Sequence, residues 1–519
     1  MQLAQNPVSH RRVYSAGLDR IQEGVVSSHF MHELAGNAEL DVYDEEEFAA
    51  RRLDIDARTV YDSLIPDLLN ACRAFCGDRA AATKPRAREN YRKYGLRDPG
   101  EVGTAEFITE VLFDRQFLRG PRERCSREQV CRKVAERVSA GAPIELVLPA
   151  LPFKFSSPLK TRGRLPDLAE VNFLLGLYEI VTTIELIYRE SRPGPGARLA
   201  GFTVVSDGNR FNRLTNEPDS VVELYRNRLD LLIHRLGLGR HITLLDYRSL
   251  LRDRLPEPAR AQKSTIAIRA RAAYENTLWP IFDPCAMAAT MKAAAAVEPD
   301  PESANPDGRF VALLKSLVYT INYRTLERLP ADQFRALYRE LTAHIFEPYA
   351  VLSPAEFREV RTELAAGPVQ HTERVKEGLR QSMLREAWTS AIGYLAEIKS
   401  DRELPEDPIL TCLPDHIRWT IHAKAGQLAV LTPTVGGAPV QSWAGTAVFR
   451  SSGKNRIKLG TLPVLALEGV GAVPVSVIGD DVLPCASQPL FYIHPDVTFA
   501  DLDDFLARVK TSLVRKRTN

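Results

Sequence analysis

The chain has 519 residues, of which 68 are Lys or Arg and 66 are Asp or Glu, so its formal net charge is only +2. This balance excludes a generally basic protein that wraps nucleic acid. A hydrophobic content of 45% with 8% aromatic residues excludes wholesale disorder. The length allows roughly three domains, or one catalytic domain with large helical additions.

The cysteines, the histidines and the N-terminus carry no strong signal. The seven cysteines include no Cys-x-x-Cys pair, and neither cysteines nor histidines have the spacing of metal ligands, so the sequence predicts no metal site. The N-terminus lacks the apolar core of a secretory signal, and we find no stretch of about 20 uncharged apolar residues that could span a bilayer. We therefore expect a cytoplasmic protein.

Residues 1–100 predict an N-terminal helical extension. Its helices carry mixed charges, and the Pro- and Gly-bearing segment 78–100 predicts an exposed connection. Apolar residues at helical spacing then predict a helix over 104–118, and the capping-box pattern at Ser126 predicts another. Regular structure is expected to begin here.

Residues 101–250 predict the first part of a Rossmann-like catalytic core. Short apolar or β-branched runs predict strands at 143–151, 199–206 and 241–247. A buried helix that begins near Asp167 and a second helix over 218–236 separate these strands. This alternation is the signature of an α/β fold with a parallel sheet.

Residues 251–400 predict a large inserted all-helical lobe. Strand signals return in residues 401–519, one of them at 462–467, and we expect this C-terminal strand-rich part to complete the core. A final helix is predicted near 499–509. The fold class is therefore α/β, with a Rossmann-like core sheet, the inserted lobe and the N-terminal extension.

No GxGxxG, GxxxxGK[ST], GxSxG or HExxH motif occurs, so the usual nucleotide and hydrolase signatures are missing. A polar loop does follow the first predicted core strand, at the edge where open α/β sheets bind ligands. Its cations can clamp a phosphate, and carboxylates at the next helix start can orient them. A solvated basic loop is the alternative. The candidates are Lys154, Ser157, Lys160, Arg162, Arg164, Asp167 and Glu170.

Two further groups carry candidate chemistry. Ser206 and Asp207 end the next predicted strand, where Asp207 can hold a substrate amine or move protons; an Asx turn with Gly208 at positive φ is the alternative. Arg418 and His422 lie four residues apart on a late predicted strand, so both leave the same face. That face fits a site lining, and an exposed sheet face would have the same pattern.

The sequence resembles the pyoverdine/dityrosine biosynthesis family, whose bacterial members include isonitrile synthases. Four anchors carry the resemblance: LPFKFSSP leading to GRLPDLAE, IYRESRPGPGARLAGFTVVSDGNRF, the helix with Tyr225, and IRWTIHAK before the turn at Thr432 and Pro433. They span about residues 105–250 and 380–495. The chain departs from the family pattern at KFSSP, at PDLAE and in the late turn, which lacks a Trp-His-Gly.

The resemblance implies a synthase that converts the α-amino group of an amino acid, typically tryptophan or tyrosine, into an isonitrile. The added carbon would come from ribulose 5-phosphate, without a metal or an organic cofactor. Lys154, Asp207 and His422 are then the catalytic candidates, with His422 as proton shuttle and Arg418 on the substrate carboxylate. The remaining candidate residues of the loop and Ser206 would bind substrate.

Other functions remain open at this point. A relative that N-formylates an amino acid would keep the fold and change the product. A non-catalytic binding protein on the same fold is favoured by the altered late turn. We expect no nucleic acid and no membrane as partners, while a homodimer and a separate tailoring oxygenase stay open.

Overall fold

The computed structural model describes residues 31, 34–37, 40–93, 99–114, 127–192, 197–297, 308–323, 326, 331–348, 352–366, 373–420, 428–429, 440–452, 456–480, 482–484 and 487–515. Within these residues the strands are β1 (Leu53–Asp56), β2 (Ile144–Pro149), β3 (Ala200–Ser206), β4 (Ile242–Asp246), β5 (His416–Thr420), β6 (Leu428–Ala429), β7 (Thr446–Ser451), β8 (Ile457–Leu462), β9 (Val473–Ile478) and β10 (Phe491–Ile493).

The longer chain segments between the strands are mostly helical. The described α-helices are α1 (Glu45–Arg51), α2 (Ile65–Lys93), α3 (Thr104–Leu112), α4 (Arg127–Ser139), α5 (Leu168–Ser191), α6 (Gly208–Phe211), α7 (Asp219–Arg235), α8 (Tyr247–Arg254), α9 (Glu257–Leu278), α10 (Met287–Ala295), α11 (Gly308–Val318), α12 (Ala331–Ala343), α13 (Pro354–Ala366), α14 (Glu373–Arg402), α15 (Pro408–Cys412), α16 (Val464–Glu468) and α17 (Leu502–Arg515), with a helical turn at Ala57–Thr59 and a π-helical turn at Val60–Leu64 before α2.

The first sheet is entirely parallel, in the order β4-β3-β2-β5-β6. The chain moves outward from β2 through β3 to β4, and later returns to the other side of β2 as β5. The strand order therefore reverses between β2 and β5, and the crevice outside the carboxyl ends at such a reversal is where open α/β sheets bind ligands. The predicted mixed α/β fold, with a parallel sheet and many helices, is confirmed.

The second sheet is mixed, in the order β1-β9-β10-β7-β8. β1 pairs with β9 in parallel, β9 with β10 antiparallel, β10 with β7 in parallel and β7 with β8 antiparallel. The structure here differs from our expectation that the late strands complete one core, because β5 and β6 are the only described strands after residue 400 that join the first sheet. Residues 1–100 also differ from the predicted helical extension, because they supply the strand β1. The sequence did not predict β1 because a four-residue strand has too little periodicity, and its partner β9 lies far along the chain.

Two other local predictions were wrong. The segment 78–100 does not begin as an exposed connection, since α2 continues to Lys93 and buries Thr83, Ala87 and Tyr91. The thiols of Cys72 and Cys76, earlier on α2, lie against backbone carbonyls of α5, so packing on that helix stabilises α2 despite the proline within it.

Residues 462–467 form the end of β8 and the short helix α16 rather than a strand of their own. The amides of Val464 and Leu465 donate to the carbonyls of Lys160 and Leu159, at 3.1 and 3.0 Å. Because these bonds engage the candidate loop, the backbone here is not available to a sheet ladder.

Helix α5 lies between the two sheets and contacts β3 and β4 of the first sheet and β7 and β8 of the second. It is long and apolar enough to cross a membrane by length and composition, but 72% of its most apolar stretch is buried within the protein. Packing on both sides accounts for a helix that is apolar nearly all round. Its N-terminus carries Asp167 and Glu170 to the loop that follows β2.

Helices α9 to α14 pack largely on one another, with α14 in contact with α9, α11, α12 and α13. The centre of this packing is aromatic: Trp388, fully buried, contacts the rings of Phe282 and Phe310 at centroid distances of 4.9 and 4.6 Å. Apolar residues of α16 and β8 belong to the same buried cluster as the helices. The helical region and the second sheet therefore share a core.

Candidate functional site

The loop that follows β2 starts with an unusual backbone. Leu151 is a non-glycine residue at φ 56°, in the left-handed region that costs about 1 kcal/mol or more for a residue with a Cβ. Its carbonyl accepts a hydrogen bond from Ser206 Oγ at 2.9 Å. The buried Ser206 hydroxyl therefore ties the carboxyl end of β3 to the loop after β2.

The turn after β3 packs directly against the same loop. A Cβ on Gly208 would lie 2.1 Å from the carbonyl oxygen of Pro152, so only glycine fits there. Gly208 does not have a positive φ, and the Asp207 side chain makes no capping hydrogen bond to α6. The alternative of an Asx turn with glycine at positive φ is therefore wrong, because the glycine is required by the close approach of the two backbones.

Lys154 belongs to the loop after β2, and its completely buried side chain lies against the start of α5. Its Nζ is 2.8 Å from Asp167 Oδ2, 2.8 Å from Glu170 Oε2 and 2.9 Å from the carbonyl oxygen of Ser442. Nζ also lies 3.1 Å from Glu170 Oε1, so the ammonium group is surrounded by oxygen atoms of two carboxylates and one carbonyl. Tyr225, on α7, completes the cluster by donating from its hydroxyl to Glu170 Oε1 at 3.1 Å.

The same carboxylates begin helix α5. Asp167 is its N-cap and accepts from the Ala169 amide at 2.7 Å, while Glu170 accepts from the Asp167 amide at 2.8 Å, which is a capping box. Burial acts to lower the pKa of Lys154, but the two carboxylates outweigh it and raise that pKa. Burial raises the pKa of Asp167, which Lys154 opposes and Glu170 reinforces. The cluster thus holds a charged lysine rather than a free base.

Lys160, six residues further along the loop, has very different surroundings. Its side chain is buried, and its Nζ donates to Thr320 Oγ1 at 2.9 Å and lies 4.9 Å from the centroid of the Phe155 ring. Among the residues that the structure describes, no carboxylate forms an ion pair with it. Burial therefore lowers the pKa of Lys160 to about 7, because the charged form is penalised by desolvation and lacks an anion to offset it.

The remaining cations of the loop bind protein groups. Arg162 contacts both oxygens of Glu468, the carbonyl of Tyr43 and Glu45, and its guanidinium lies over the ring of Phe48. It therefore joins the loop to α16 and to the N-terminal segment. For Lys154, Lys160 and Arg162, the alternative of a solvated basic loop is wrong.

Arg164 is the most exposed of these cations, with 36% of its side chain accessible, and it forms an ion pair with the buried Glu217 at 3.5 Å. The loop beside it is fixed by Gln488, whose amide group exchanges hydrogen bonds with the backbone of Leu165 at 3.1 and 2.8 Å. A Cβ on Gly163 would lie 1.9 Å from Gln488 Oε1. Arg164 thus combines a fixed backbone with an accessible guanidinium.

Asp207 lies at the start of a charged and aromatic group that faces α14. Arg210 binds Asp401 at 2.7 Å, and the ring of Phe211 stacks on Tyr394 with centroids 4.3 Å apart. Burial raises the pKa of the Tyr394 hydroxyl, and the charge of Asp207 raises it further. The turn after β3 therefore brings Asp207 close to the long helix of the helical region.

Arg418 is buried on β5 and donates from Nε to Asp407 Oδ2 at 3.2 Å. Burial lowers the pKa of its guanidinium, and Asp407 opposes the change. Thr420, on the same strand face, is also buried, so the alternative of an exposed sheet face is wrong for both residues. The predicted partner His422 lies outside the described residues.

The structure brings Lys154, Asp167 and Glu170 into direct contact and joins the loops that carry Lys160 and Asp207. It does not bring Arg162 or Arg418 into contact with that cluster. Tyr225 and Thr320 were not predicted as site residues from the sequence. Tyr225 was signalled only by its position in a family anchor, and Thr320 had no local signal.

Ser157 is buried beside the Tyr338 hydroxyl. Its hydroxyl acts to lower the pKa of Tyr338, but burial has the larger effect and raises that pKa. In the described part of the chain, no group of three or more His, Cys, Asp or Glu side chains could hold a metal ion.

Comparison with known proteins points to one family. Residues 134–296 match the model of the pyoverdine/dityrosine biosynthesis protein family. An L-tyrosine isonitrile synthase of Pseudomonas aeruginosa is 37% identical over 141 residues, which cover 26% of this chain and 40% of that protein. An L-tryptophan isonitrile synthase of Fischerella ambigua is 30% identical over 140 residues, covering 26% of this chain and 41% of that protein.

Each of these alignments spans about two fifths of the relative's length. The crystal structure of the PvcA protein of Pseudomonas aeruginosa is 18% identical, with a TM-score of 0.42, and the match covers 76% of this chain and all of that chain. The matched family segment, residues 134–296, contains β2, the candidate loop, the N-terminus of α5 and the turn after β3.

Proposed function

We propose that the chain is an isonitrile synthase of the pyoverdine/dityrosine biosynthesis family, because residues 134–296 match the model of that family and two relatives of this part of the chain are isonitrile synthases. The proposed substrates are an amino acid, tyrosine or tryptophan in the named relatives, and ribulose 5-phosphate as donor of the added carbon. The observation that carries the proposal is the overlap between the family segment and the edge of the sheet where the candidate loop and turn meet.

The reaction asks for groups that this edge contains. The substrate amine condenses with the ketone of the pentulose phosphate and releases water, and the adduct then enolises and fragments, so protons must be moved repeatedly. Asp207 is the proposed partner of the substrate ammonium, and His422 the proposed proton shuttle. No step in this proposal uses a metal or an organic cofactor.

The phosphate needs an accessible cation at a fixed position. Arg164 supports this role, since 36% of its side chain is accessible while Gln488 fixes the backbone beside it. A guanidinium fork binds a phosphate through two parallel hydrogen bonds. Glu217 would then orient Arg164, and Arg418, held by Asp407, is the proposed partner of the substrate carboxylate.

Lys154 is proposed to position the site rather than to react. Its ammonium group is surrounded by two carboxylates and a carbonyl, which favour the protonated form, and a protonated amine has no free lone pair. The ammonium neutralises carboxylates at the start of α5 and ties the loop after β2 to Ser442. Its expected contribution is therefore to the geometry of the loop.

The test is a reaction with two substrates and two readouts. Purified protein is incubated with ribulose 5-phosphate and a pool of the twenty amino acids, and the products are followed by untargeted mass spectrometry and by the isonitrile infrared band. We expect a new species with the mass of one amino acid plus one carbon minus two hydrogens, together with that band. A product one water heavier without the band would be the formamide and would replace this proposal. No product from any amino acid or from ribulose 5-phosphate would contradict it.

Three further points are part of the proposal. The parallel sheet is assigned to the Rossmann-like class on its strand order, β4-β3-β2-β5-β6. The helical segment 251–400 is proposed to be a lobe inserted into the chain between β4 and β5 of this sheet. The protein is proposed to act in the cytoplasm. Light scattering would test whether it forms a homodimer, and co-purification would test for a separate tailoring oxygenase.

A further inference from the structure

The loop after β2 carries two buried lysines whose hydrogen-bond partners differ in kind. Lys154 faces two carboxylates and a carbonyl, whereas Lys160 faces one hydroxyl and the ring of Phe155. Taking a charged ammonium out of water without an anion is costly, and the group responds by releasing its proton. The surroundings therefore favour the charged form of Lys154 and disfavour the charged form of Lys160.

The hydrogen bond between Lys160 and Thr320 does not use the lone pair of the Lys160 amine. A hydroxyl has one proton, and Thr320 donates its proton to the carbonyl of Ser316 at 2.8 Å. Towards Lys160 the hydroxyl can therefore only accept, so it binds an N–H of the amine. A neutral amine held through an N–H keeps its lone pair available to an electrophile.

The backbone around Lys160 is fixed on both sides. Its amide donates to the carbonyl of Ser157 at 3.0 Å, and its carbonyl accepts from Val464 at 3.1 Å. The next residue, Thr161, donates from its hydroxyl to the carbonyl of Phe155. A side chain held at both the backbone and the Nζ atom reacts with little loss of conformational entropy.

We propose that Lys160 is a nucleophile that forms a covalent imine with the ketone of the pentulose phosphate; this inference rests on the proposed function for the identity of that substrate. The family comparison assigns no such step. Desolvated lysines that react with carbonyl compounds are a known class of activated nucleophile. Lys160 would thus be a catalytic residue, rather than the substrate-binding cation predicted from the sequence.

The step balances without an oxidant or a reductant. The Nζ lone pair adds to the ketone carbon and gives a carbinolamine; the oxygen then leaves as water with both protons of the original amine, and a C=N bond remains. The α-amino group of the amino acid adds to this carbon and displaces Lys160, which recovers two protons from that amine. The second imine joins the amino-acid nitrogen to the sugar carbon, as the proposed reaction requires.

Reductive trapping tests this step in the full-length chain. The protein is incubated with ribulose 5-phosphate and sodium cyanoborohydride, without an amino acid, then digested and mapped by mass spectrometry. We expect the reduced adduct on Lys160 in roughly tenfold excess over each exposed lysine, because at neutral pH ordinary lysines are almost entirely protonated. Lys510, with 63% of its side chain exposed, and the ion-paired Lys154 are internal controls in the same digest.

Variants separate a covalent role from phosphate binding. Lys160→Arg supplies a permanent cation and keeps a donor towards Thr320 but cannot form an imine, so we expect no adduct at this position and at least a hundredfold loss of isonitrile formation. If Lys160 only binds phosphate, Lys160→Arg retains most of its turnover. The wild-type peptide map stands by itself if the variant does not fold.

The outcomes of the two assays are separable. A protein that makes isonitrile, but in which cyanoborohydride labels exposed lysines and leaves Lys160 unmodified, would overturn this inference and leave the proposed function intact. Selective labelling of Lys160 in a protein that makes no isonitrile would support the imine and overturn the proposed function. Absence of both would overturn both.

Discussion

The hydroxyl of Tyr225 donates to Glu170 Oε1 at 3.1 Å, and Lys154 Nζ lies within hydrogen-bond distance of both oxygens of the same carboxylate, at 3.1 Å from Oε1 and 2.8 Å from Oε2. One buried cation here faces two buried carboxyl groups, Asp167 and Glu170. Since burial raises the pKa of Asp167, that group retains a proton more readily than an exposed aspartate and so reduces the net negative charge of the cluster.

Replacing Lys154 by Met should strongly destabilise the protein. The change leaves the Asp167 and Glu170 carboxylates buried without their cation, and removal of one partner from a buried ion pair costs about 3–5 kcal/mol. Denaturant unfolding measures the loss. Lys510→Met is the control, because its pair with Asp67 is largely exposed and is expected to contribute less than about 1 kcal/mol. Equal effects of the two changes would contradict this interpretation.

Tyr225→Phe should cost more stability than Tyr323→Phe. Both side chains are fully buried, and both changes remove only a hydroxyl. Tyr225 donates to a carboxylate, a bond type worth about 1.5–3 kcal/mol, whereas Tyr323 donates to the neutral carbonyl of Val318 at 3.1 Å, for which about 1 kcal/mol is expected. Unfolding midpoints of the two variants in urea provide the comparison, and the reverse order would show that the bond from Tyr225 to Glu170 is not the stronger of the two.

Gly208→Ala should destabilise the junction between the loop after β2 and the turn after β3. The new methyl group would lie 2.1 Å from the Pro152 carbonyl, so the backbones must separate, at a cost of about 1–3 kcal/mol. Gly77→Ala is a matched control on α2, where a Cβ has no atom within 4 Å and the helix should gain about 0.5–1 kcal/mol. Thermal unfolding of both variants, together with isonitrile formation, tests whether the junction supports the site. A neutral Gly208→Ala would show that it does not.

Lys160 should make stability depend on pH above neutrality. Its pKa is about 7 in the folded protein and near 10.5 in the unfolded chain, so the unfolded chain binds more protons between these values. The contribution of Lys160 to the free energy of unfolding therefore increases as the pH rises from about 7, by at most about 1.4 kcal/mol per pH unit. Urea unfolding of wild type and Lys160→Met at pH 6 to 9 isolates this term. A difference that does not change with pH would mean that Lys160 remains protonated.

Asp207→Asn should reduce isonitrile formation while leaving the fold intact. The amide has nearly the same shape but cannot neutralise an ammonium or accept its proton, and loss of a general acid–base group typically costs about 10²–10⁴ in rate. Turnover and the circular dichroism spectrum are measured on the same preparation. Activity close to wild type would remove Asp207 from the proposed site.

The sequence predicted the parallel strands, the loop after β2 and the start of α5 because each depends on neighbouring residues. Mainly apolar runs of six and seven residues form β2 and β3, and Asp167 with Glu170 is a capping pattern that spans four residues. The polar residues at strand ends were found for the same reason. Local patterns therefore located the candidate site along the chain.

The distinct states of Lys154 and Lys160 could not be predicted in this way. Both are lysines on one basic loop, and their difference depends on partners up to 288 residues away: Ser442 for Lys154 and Thr320 for Lys160. The assignment of β7 to β10 to a second sheet also depends on long-range pairing, including the parallel pair of β1 with β9. Such contacts have no periodicity within the segments that make them.

The hydrogen bond from Lys160 to Thr320 joins the loop of the parallel sheet to the chain that follows α11, and the amide of Asn322 donates to the carbonyl of Thr215 at 2.9 Å nearby. The inserted helices thus form part of the wall that keeps water from the amine. Shortening the protein by excising residues 251–400 would return Lys160 to a high dielectric and to the protonation state of an ordinary surface lysine. The insertion therefore helps to lower the pKa of Lys160. Moving the loop alone into a smaller protein would not transfer the reactivity of Lys160.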